Sequence, residues 1–241
     1  MFLDTIGGAD TEAFEPTRPF SPTPQKPGVD PEVCAGAARP VLSSAMQADL
    51  QQLAASPSQI SALAVFAASV RHAQPLAVHV QTSDKPFLLS IFPRDRFFQC
   101  EHELSELPAE DLALLRLVRI EPVVPLLMGD MPSGKASSFR LGPLGLLLWR
   151  LALHGPTNEL LPEIAEPAKY RLTPSLHLSG LPMHSGLPPV LQKMRNDPCT
   201  VPELAHGSTL GPTQVKRLLN ALYLQSGLIV TRSLPKVWGK A

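Results

Sequence analysis

The sequence predicts an α+β fold in which N-terminal helices pack on a small antiparallel sheet and a mostly helical C-terminal module follows. Three patterns predict this fold. Apolar residues recur at helical spacing between residues 43 and 70, apolar and polar residues alternate between 76 and 100, and helical spacing returns after residue 187. The chain has 241 residues, of which 44% are hydrophobic. This composition supports a sizeable core in one or two domains.

Residues 1–42 are expected to form a disordered, proline-rich leader. Few large aliphatic side chains occur in this leader, whereas prolines recur throughout it: Pro16, Pro19, Pro22, Pro24, Pro27, Pro31 and Pro40. Proline removes a backbone donor and resists both helix and sheet. The PxxP spacing is compatible with an interaction ligand, but a plain linker is the simpler interpretation. The first residues lack a basic region followed by an apolar stretch, so no secretory signal is expected.

Two helices are expected at the start of an α+β domain that spans residues 43–180. The first covers residues 43–54. The second begins with Ser56 as its N-cap, Pro57 at the first helical position and Gln59 at the capping-box position. Its apolar residues then repeat at helical spacing: Ile60, Leu63, Ala64, Ala67 and Val70.

Antiparallel hairpins are expected after these helices. Leu76, Val78 and Val80 alternate with Ala77, His79 and Gln81 in the first strand. Residues 87–92 form the second strand and residues 97–100 the third, with turn residues at 83–85 and 93–95. Alternation interrupted by such turn residues is typical of hairpins.

Helical signals return beyond the hairpins. Pro108, with Glu110 and Asp111 in the first turn, opens a helix that carries Leu112, Leu115 and Val118. Residues 119–124 are expected to add a strand, and residues 128–139 to form a polar loop. A helix at residues 143–154 is apolar nearly all round, so we expect it to be a central packing element.

Residues 181–241 predict a helix, a short helix, a turn, a longer helix and a strand. Leu187 begins the first helix, and Thr200 with Glu203 forms a capping box at the second. The third helix opens at Pro212, and Gly227 ends it before a strand at residues 228–230. An apolar stripe follows one side of the third helix: Val215, Leu218, Leu219, Leu222 and Tyr223.

The run CTVPELAHGSTLGPTQVKRLLNALYLQSGLIV resembles a winged helix-turn-helix, and the resemblance covers about residues 187–239. In DNA-binding members of this superfamily the third helix enters the major groove. The resemblance implies a second wing strand from residues 234–239. It also implies candidate contacts with DNA or with a partner protein: Thr213, Gln214, Lys216, Arg217, Asn220 and Arg232.

Charge is distributed unevenly along the chain, although the net charge is zero. Residues 1–180 contain 19 acidic and 14 basic residues, whereas residues 181–241 contain 2 acidic and 7 basic residues. A basic C-terminal module indicates a surface for nucleic acid or an acidic partner. An equally simple interpretation is that the two halves attract each other within the folded chain.

The cysteines and the hydropathy indicate a cytoplasmic protein that does not cross a membrane. Cys34, Cys100 and Cys199 are odd in number and far apart, which suits a reducing compartment. No apolar run approaches the roughly 20 residues that a membrane-spanning helix needs.

Sequence motifs for catalysis are missing. Residues 129–137, GDMPSGKAS, nearly match the phosphate-binding pattern GxxxxGK[ST], but Ala136 stands where the magnesium-binding hydroxyl belongs. The seven histidines show no metal-ligand spacing. GxSxG, HExxH and GxGxxG do not occur. We therefore predict no catalytic, cofactor-binding or metal-binding residues.

These observations favour a non-enzymatic regulatory or adaptor protein that acts through contacts with another protein and carries a winged-helix-like C-terminal module. The alternative is a DNA-binding transcriptional regulator with an N-terminal sensing domain and duplex DNA as its partner. A weaker alternative is an enzyme whose site is assembled from distant residues.

Overall fold

The computed structural model describes residues 41–55, 61–82, 86–102, 107–123 and 139–232. The helices are α1 Ser44–Ala55, α2 Ala62–His72, α3 Ala109–Ala113, α4 Leu144–His154, α5 Leu187–Asn196, α6 Val201–His206 and α7 Pro212–Leu224. The strands are β1 Leu76–Gln81, β2 Pro86–Phe92, β3 Phe97–Cys100, β4 Arg116–Pro122, β5 Arg140–Pro143, β6 Lys169–Leu172 and β7 Leu228–Thr231. A 3₁₀ turn, Pro162–Ile164, precedes β6.

Five strands form an antiparallel sheet with the order β4-β1-β2-β3-β5. The strands β1, β2 and β3 pair as consecutive hairpins, so that Val78 lies opposite Leu89 and Leu89 opposite Cys100. The edges are β4, which pairs with β1, and β5, which pairs with β3. Successive side chains of a strand point to opposite faces, so each strand contributes to both faces of the sheet.

One face of this sheet shares a single hydrophobic core with α2 and α4. Its strand residues are almost inaccessible to solvent: Leu76, Val78, Val80, Phe87, Leu89, Ile91, Phe98 and Cys100. Phe66 of α2 and Leu151 of α4 belong to the same cluster. Burying one large aliphatic or aromatic side chain contributes about 1.5–3 kcal/mol, so this face holds the sheet and helices together.

Helix α4 joins the sheet to the C-terminal helices. It packs against α7, and Gly145 permits a close approach there, because a Cβ at this position would lie 3.0 Å from Oε1 of Gln225. Nε2 of Gln225 donates to the Gly145 carbonyl at 2.8 Å. Trp149 is completely buried, and its indole N–H donates to the Pro182 carbonyl at 3.0 Å.

Strands β6 and β7 form a second, two-stranded antiparallel ribbon. Tyr170 of β6 pairs with Val230 of β7, and its backbone also bridges to Cys199, between α5 and α6. The Tyr170 hydroxyl donates to the Ile164 carbonyl at 2.8 Å, and burial raises the pKa of Tyr170 to about 12. β6 precedes α5 in sequence, and it therefore contacts both the link between α5 and α6 and the strand that follows α7.

The predicted fold class is wrong in its arrangement. The antiparallel sheet has five strands and is the central element of a mixed α/β structure, rather than a small sheet followed by a mostly helical module. Two short strands account for the difference. Each has only 4 residues, which is too short for an alternation of apolar and polar residues to stand out in sequence. β5 ends in Gly142-Pro143, and β6 lies between prolines.

Two boundaries in the N-terminal part also differ from the prediction. Helix α2 begins at Ala62, and its N-cap is Ser61, whose hydroxyl accepts a hydrogen bond from the Leu63 N–H at 3.2 Å. Helix α3 ends at Ala113, so the predicted helical position of Val118 is wrong. Residues 116–122 instead pair with β1, because strand pairing outweighs a weak helical pattern.

The order of elements from α5 to β7 follows the prediction. Thr200 and Glu203 make the predicted capping box at α6: the Thr200 hydroxyl accepts from the Glu203 N–H, and the Glu203 carboxylate accepts from the Thr200 N–H at 2.7 Å. Several predictions lie outside the described residues, namely all but the last two residues of the leader predicted over residues 1–42, the N-cap at Ser56, the turn at 83–85, the phosphate-loop-like run at 129–137 and the wing strand at 234–239. In the described part of the chain, no helix is long and apolar enough to cross a membrane.

Candidate functional site

Helix α7 carries most of the predicted contact residues, yet it is mainly a core helix. The whole apolar stripe except Tyr223 is completely buried: Val215, Leu218, Leu219 and Leu222. Gln214 supports the helix start, because its Oε1 accepts from the Gly211 N–H at 3.1 Å. The exposed residues of α7 are therefore confined to its first turn, Pro212, Thr213 and Gln214.

The two basic residues of α7 bind the last turn of α4 and the segment that follows it. Lys216 donates to the Glu159 carboxylate at 2.5 Å. Arg217 donates through Nη1 to the Leu153 carbonyl at 3.1 Å and through Nη2 to Oδ1 of Asn158 at 2.9 Å. The charge of Lys216 thus meets an acid of the same chain, as the intramolecular interpretation of the charge asymmetry predicts.

Asn220 is an internal anchor. Its side chain is completely buried, its Oδ1 accepts from the Leu161 N–H at 2.9 Å, and its Nδ2 donates to the Glu159 carbonyl at 2.9 Å. A buried amide with both groups satisfied by backbone is typical of a structural role. Because it is completely buried, Asn220 has no accessible group to offer DNA or a partner protein.

The remaining candidates are Thr213, Gln214 and Arg232. All three are exposed, although Arg232 donates to the Glu163 carbonyl at 2.7 Å. DNA affinity depends largely on several phosphate contacts. Lys216 is already paired with an acid, and Arg217 is only partly exposed, with both terminal nitrogens held by neutral acceptors of the chain. Binding of duplex DNA through α7 stays a prediction, with few side chains to support it.

The five-stranded sheet presents a different surface on the face opposite α2 and α4. We define this outer sheet face by the cross-strand rows of its register: Arg119, His79 and Leu88; Glu121, Ala77, Ser90, Gln99 and Leu141; and Phe92, Phe97 and Pro143. Directly opposed residues in a sheet lie on the same face. The burial pattern of β2 alternates along the strand, so its outward residues are partly exposed where its inward ones are buried.

An apolar corner occupies the β3–β5 side of the outer sheet face. Phe92 and Phe97 stack with their ring centroids 4.6 Å apart. Leu141 lies near them on β5 with 66% of its surface exposed. The turn between β2 and β3 places Arg94 and Arg96 beside this corner, and both are exposed.

The edges of the sheet are poorly suited to adding another strand. On β4 the pairing with β1 contains an irregularity between His79 and Val80, and Arg116 and Arg119 are exposed. On the opposite edge, β5 has only 4 residues and ends in Pro143. Bulges, charged residues, prolines and short strands all oppose edge-to-edge pairing. Both edges therefore oppose pairing with a further strand.

The described residues contain no group of three or more potential ligands that could hold a metal ion. Cys100 and Cys199 are both buried and unpaired, and burial raises the pKa of each thiol. Buried thiols with a raised pKa are poor nucleophiles. Neither cysteine is therefore suited to nucleophilic chemistry in this environment.

The outer sheet face was not predicted from sequence. Leu88, Phe92 and Phe97 look like ordinary strand residues, and Leu141 falls in a stretch expected to lead directly into a helix. The faint signal was that β2 is apolar on both faces, since Leu88 and Phe92 alternate with Phe87, Leu89 and Ile91.

No protein-family model, curated protein or solved structure matches this chain.

Proposed function

We propose that this chain is a non-enzymatic adaptor or regulatory protein that binds a helix of a partner protein on the outer sheet face. One observation carries the proposal: one face of the sheet shares a core with α2 and α4, while the other leaves Phe92, Phe97 and Leu141 partly or largely exposed. In this proposal the winged-helix-like segment from α5 to β7 has a structural role: its helix α7 packs against α4, which in turn packs on the sheet.

The dimensions of the sheet support a helical partner. Five strands about 4.8 Å apart give a face about 20 Å wide. On the inner side this width is covered by α2 and α4, each of 11 residues. Helices of that length are about 16 Å long, at 1.5 Å per residue. A partner helix of about three turns matches the outer face in the same way.

The charges beside the apolar corner indicate the chemistry of that helix. Arg94 and Arg96 flank the Phe92–Phe97 pair, with Asp95 between them. Nε of Arg94 donates at 3.2 Å to the carbonyl of Ala73, the C-cap of α2. This bond ties Arg94 to the inner side of the sheet, so Arg96 is the cation of this turn that we expect to meet the partner. We therefore expect an amphipathic helix with apolar residues on one side and acidic residues near one end.

The partner can be trapped with a photo-crosslinking amino acid at Gln99, which lies beside Leu141 on the outer sheet face. A matched control places the same amino acid at Ile229 of β7, which is 42% exposed. In cells that naturally make the protein, we expect the Gln99 probe to capture one protein and the captured peptide to be an acid-flanked apolar helix. The Ile229 probe should not capture it.

A second variant separates specific docking from chance capture. Leu141→Glu adds a charge to the apolar corner at an exposed position, so the fold should persist, as circular dichroism can verify. We expect it to abolish capture by the Gln99 probe. Capture of only a second copy of the chain, capture unaffected by Leu141→Glu, or no capture would each refute the proposal.

We propose a cytoplasmic location for this adaptor. Support comes from Cys100 and Cys199, which are unpaired in the described structure. Free buried thiols persist in a reducing compartment.

A further inference from the structure

We propose that a cleft between the end of α4 and the start of α7 binds a small organic anion with a carboxylate head and a short apolar body. The cleft has a volume of about 310 Å³ and is lined by Leu153, His154, His184, Leu187, Leu210, Gln214 and Arg217. It uses none of the residues of the outer sheet face, so this inference is independent of the proposed adaptor function.

The lining combines an apolar floor with a rim of hydrogen-bond donors. Leu153, Leu187 and Leu210 are buried, and His154, His184, Gln214 and Arg217 supply the polar groups. The described residues that line the cleft include no carboxylate, hydroxyl or thiol. Ligand sites are typically apolar with a few converging polar groups. This lining suits an anion that has an apolar portion, and it lacks a side-chain oxygen or sulfur nucleophile.

Arg217 brings a charge to the cleft, and none of the ion pairs among the described residues includes it. Its terminal nitrogens donate to neutral acceptors, the Leu153 carbonyl and the Asn158 amide oxygen. Its buried Nε has no hydrogen-bond partner in the part of the chain that the structure describes. Arginine is well suited to carboxylates, because charge-assisted hydrogen bonds are shorter and stronger than neutral ones.

Positive charge also accumulates around His154. Burial, and then the charges of Arg150, Arg217 and His184, lower the pKa of His154, while Glu110 acts in the opposite direction. Like charges held together in this way disfavour protonation of the imidazole. A bound anion would offset this repulsion and stabilise the protonated ring.

The fold assembles the cleft from three segments that are distant in sequence. His154 is the last residue of α4, Arg217 lies on α7, and His184 precedes α5. Gly186 permits the approach of this third segment, because a Cβ there would lie 2.8 Å from Cδ2 of Leu210. The Leu187 N–H donates to the His184 carbonyl at 3.1 Å and closes the turn.

Calorimetric titration of the full chain at pH 6 with three probes tests the proposal. Hexanoate carries both the carboxylate and the apolar body, hexanamide lacks the charge, and inorganic phosphate lacks the apolar body. We expect saturable binding of hexanoate with one site per chain, and binding at least about tenfold weaker for the other two, since charged hydrogen bonds and apolar burial both contribute. Equal binding of hexanamide, tighter binding of phosphate, or no saturable binding of hexanoate would overturn the proposal.

Substitution of residues that line the cleft tests whether hexanoate binds there. His184→Gln removes an imidazole that lines the cleft from an exposed position, so folding should be preserved, and we expect at least about fivefold weaker hexanoate binding. His177→Gln is the matched control, because His177 is also exposed but does not line the cleft. Arg217→Gln should weaken binding further. Unchanged binding in His184→Gln and Arg217→Gln would place the site elsewhere and overturn the proposal.

The pH dependence provides a second readout. Protonation of His154 favours the anion, with the charges of Arg150, Arg217 and His184 nearby and that of Glu110 opposing them. Hexanoate affinity should therefore fall as pH rises from 5.5 to 8, and binding should raise the pKa of the His154 imidazole, followed by NMR titration. Affinity that rises with pH would contradict the assignment.

Discussion

Helix α7 and the outer sheet face differ in how they use their side chains. Helix α7 carries the charges expected of a binding element, but Lys216 and Arg217 contact the last turn of α4 and the segment after it, and Asn220 is buried. The outer sheet face has a less conspicuous sequence, yet Leu141 is largely exposed. Charge in the sequence therefore suggested a contact surface on α7, whereas we propose the outer sheet face because its apolar side chains are exposed in the fold.

The largest expected difference between these regions is in stability. Leu222→Ala, on the buried side of α7, should lower the free energy of unfolding by about 3 kcal/mol, because it leaves a cavity in the core. Leu141→Ala, on the outer sheet face, should change it by less than about 0.5 kcal/mol, because this side chain is mostly in water. Urea denaturation measures both. Similar losses for the two variants would contradict the contrast.

A smaller effect is expected from the buried amide of α7. Asn220→Ala should lower the free energy of unfolding by about 2 kcal/mol, because it leaves the Leu161 N–H and the Glu159 carbonyl without partners. The control is Thr213→Ala, an exposed change on the same helix. Thermal denaturation should show a clear loss for the first variant and almost none for the second. Equal midpoints would mean that Asn220 is not an anchor.

The smallest effect concerns the ion pair between Lys216 and Glu159. The Glu159 side chain is 79% exposed, so water screens the pair, and we expect a coupling energy of about 0.5 kcal/mol or less. A double-mutant cycle with Lys216→Ala and Glu159→Ala measures it at low salt, and high salt should reduce it further. A coupling that increases with salt would show that the attraction is not electrostatic.

Local signals explain which parts of the fold were predictable. The capping box of Thr200 and Glu203, Pro212 at the start of α7 and the apolar stripe each involve residues within one or two helical turns. The same is true of the alternation in β1 and of the turn between β2 and β3. Such patterns depend only on the period of the element and the chemistry of its ends.

The missed elements depend on partners that are distant in sequence. β5 is a strand because it pairs with β3, and β6 is one because it pairs with β7, some 60 residues later. The predicted helix through Val118 fails for the same reason, since β4 pairs with β1. Backbone hydrogen bonds between strands stabilise conformations that local propensity does not favour.

The sequence by itself determined the helices from α5 to α7, the hairpins of the sheet and the uneven charge, because these follow from residue order and local periodicity. Tertiary structure alone decided that Lys216 meets Glu159, that Asn220 is buried, and that His154, His184 and Arg217 line one cleft. The physical reason is that packing the core fixes which side of each element faces inward. Exposure and proximity then belong to the assembled fold rather than to any single segment.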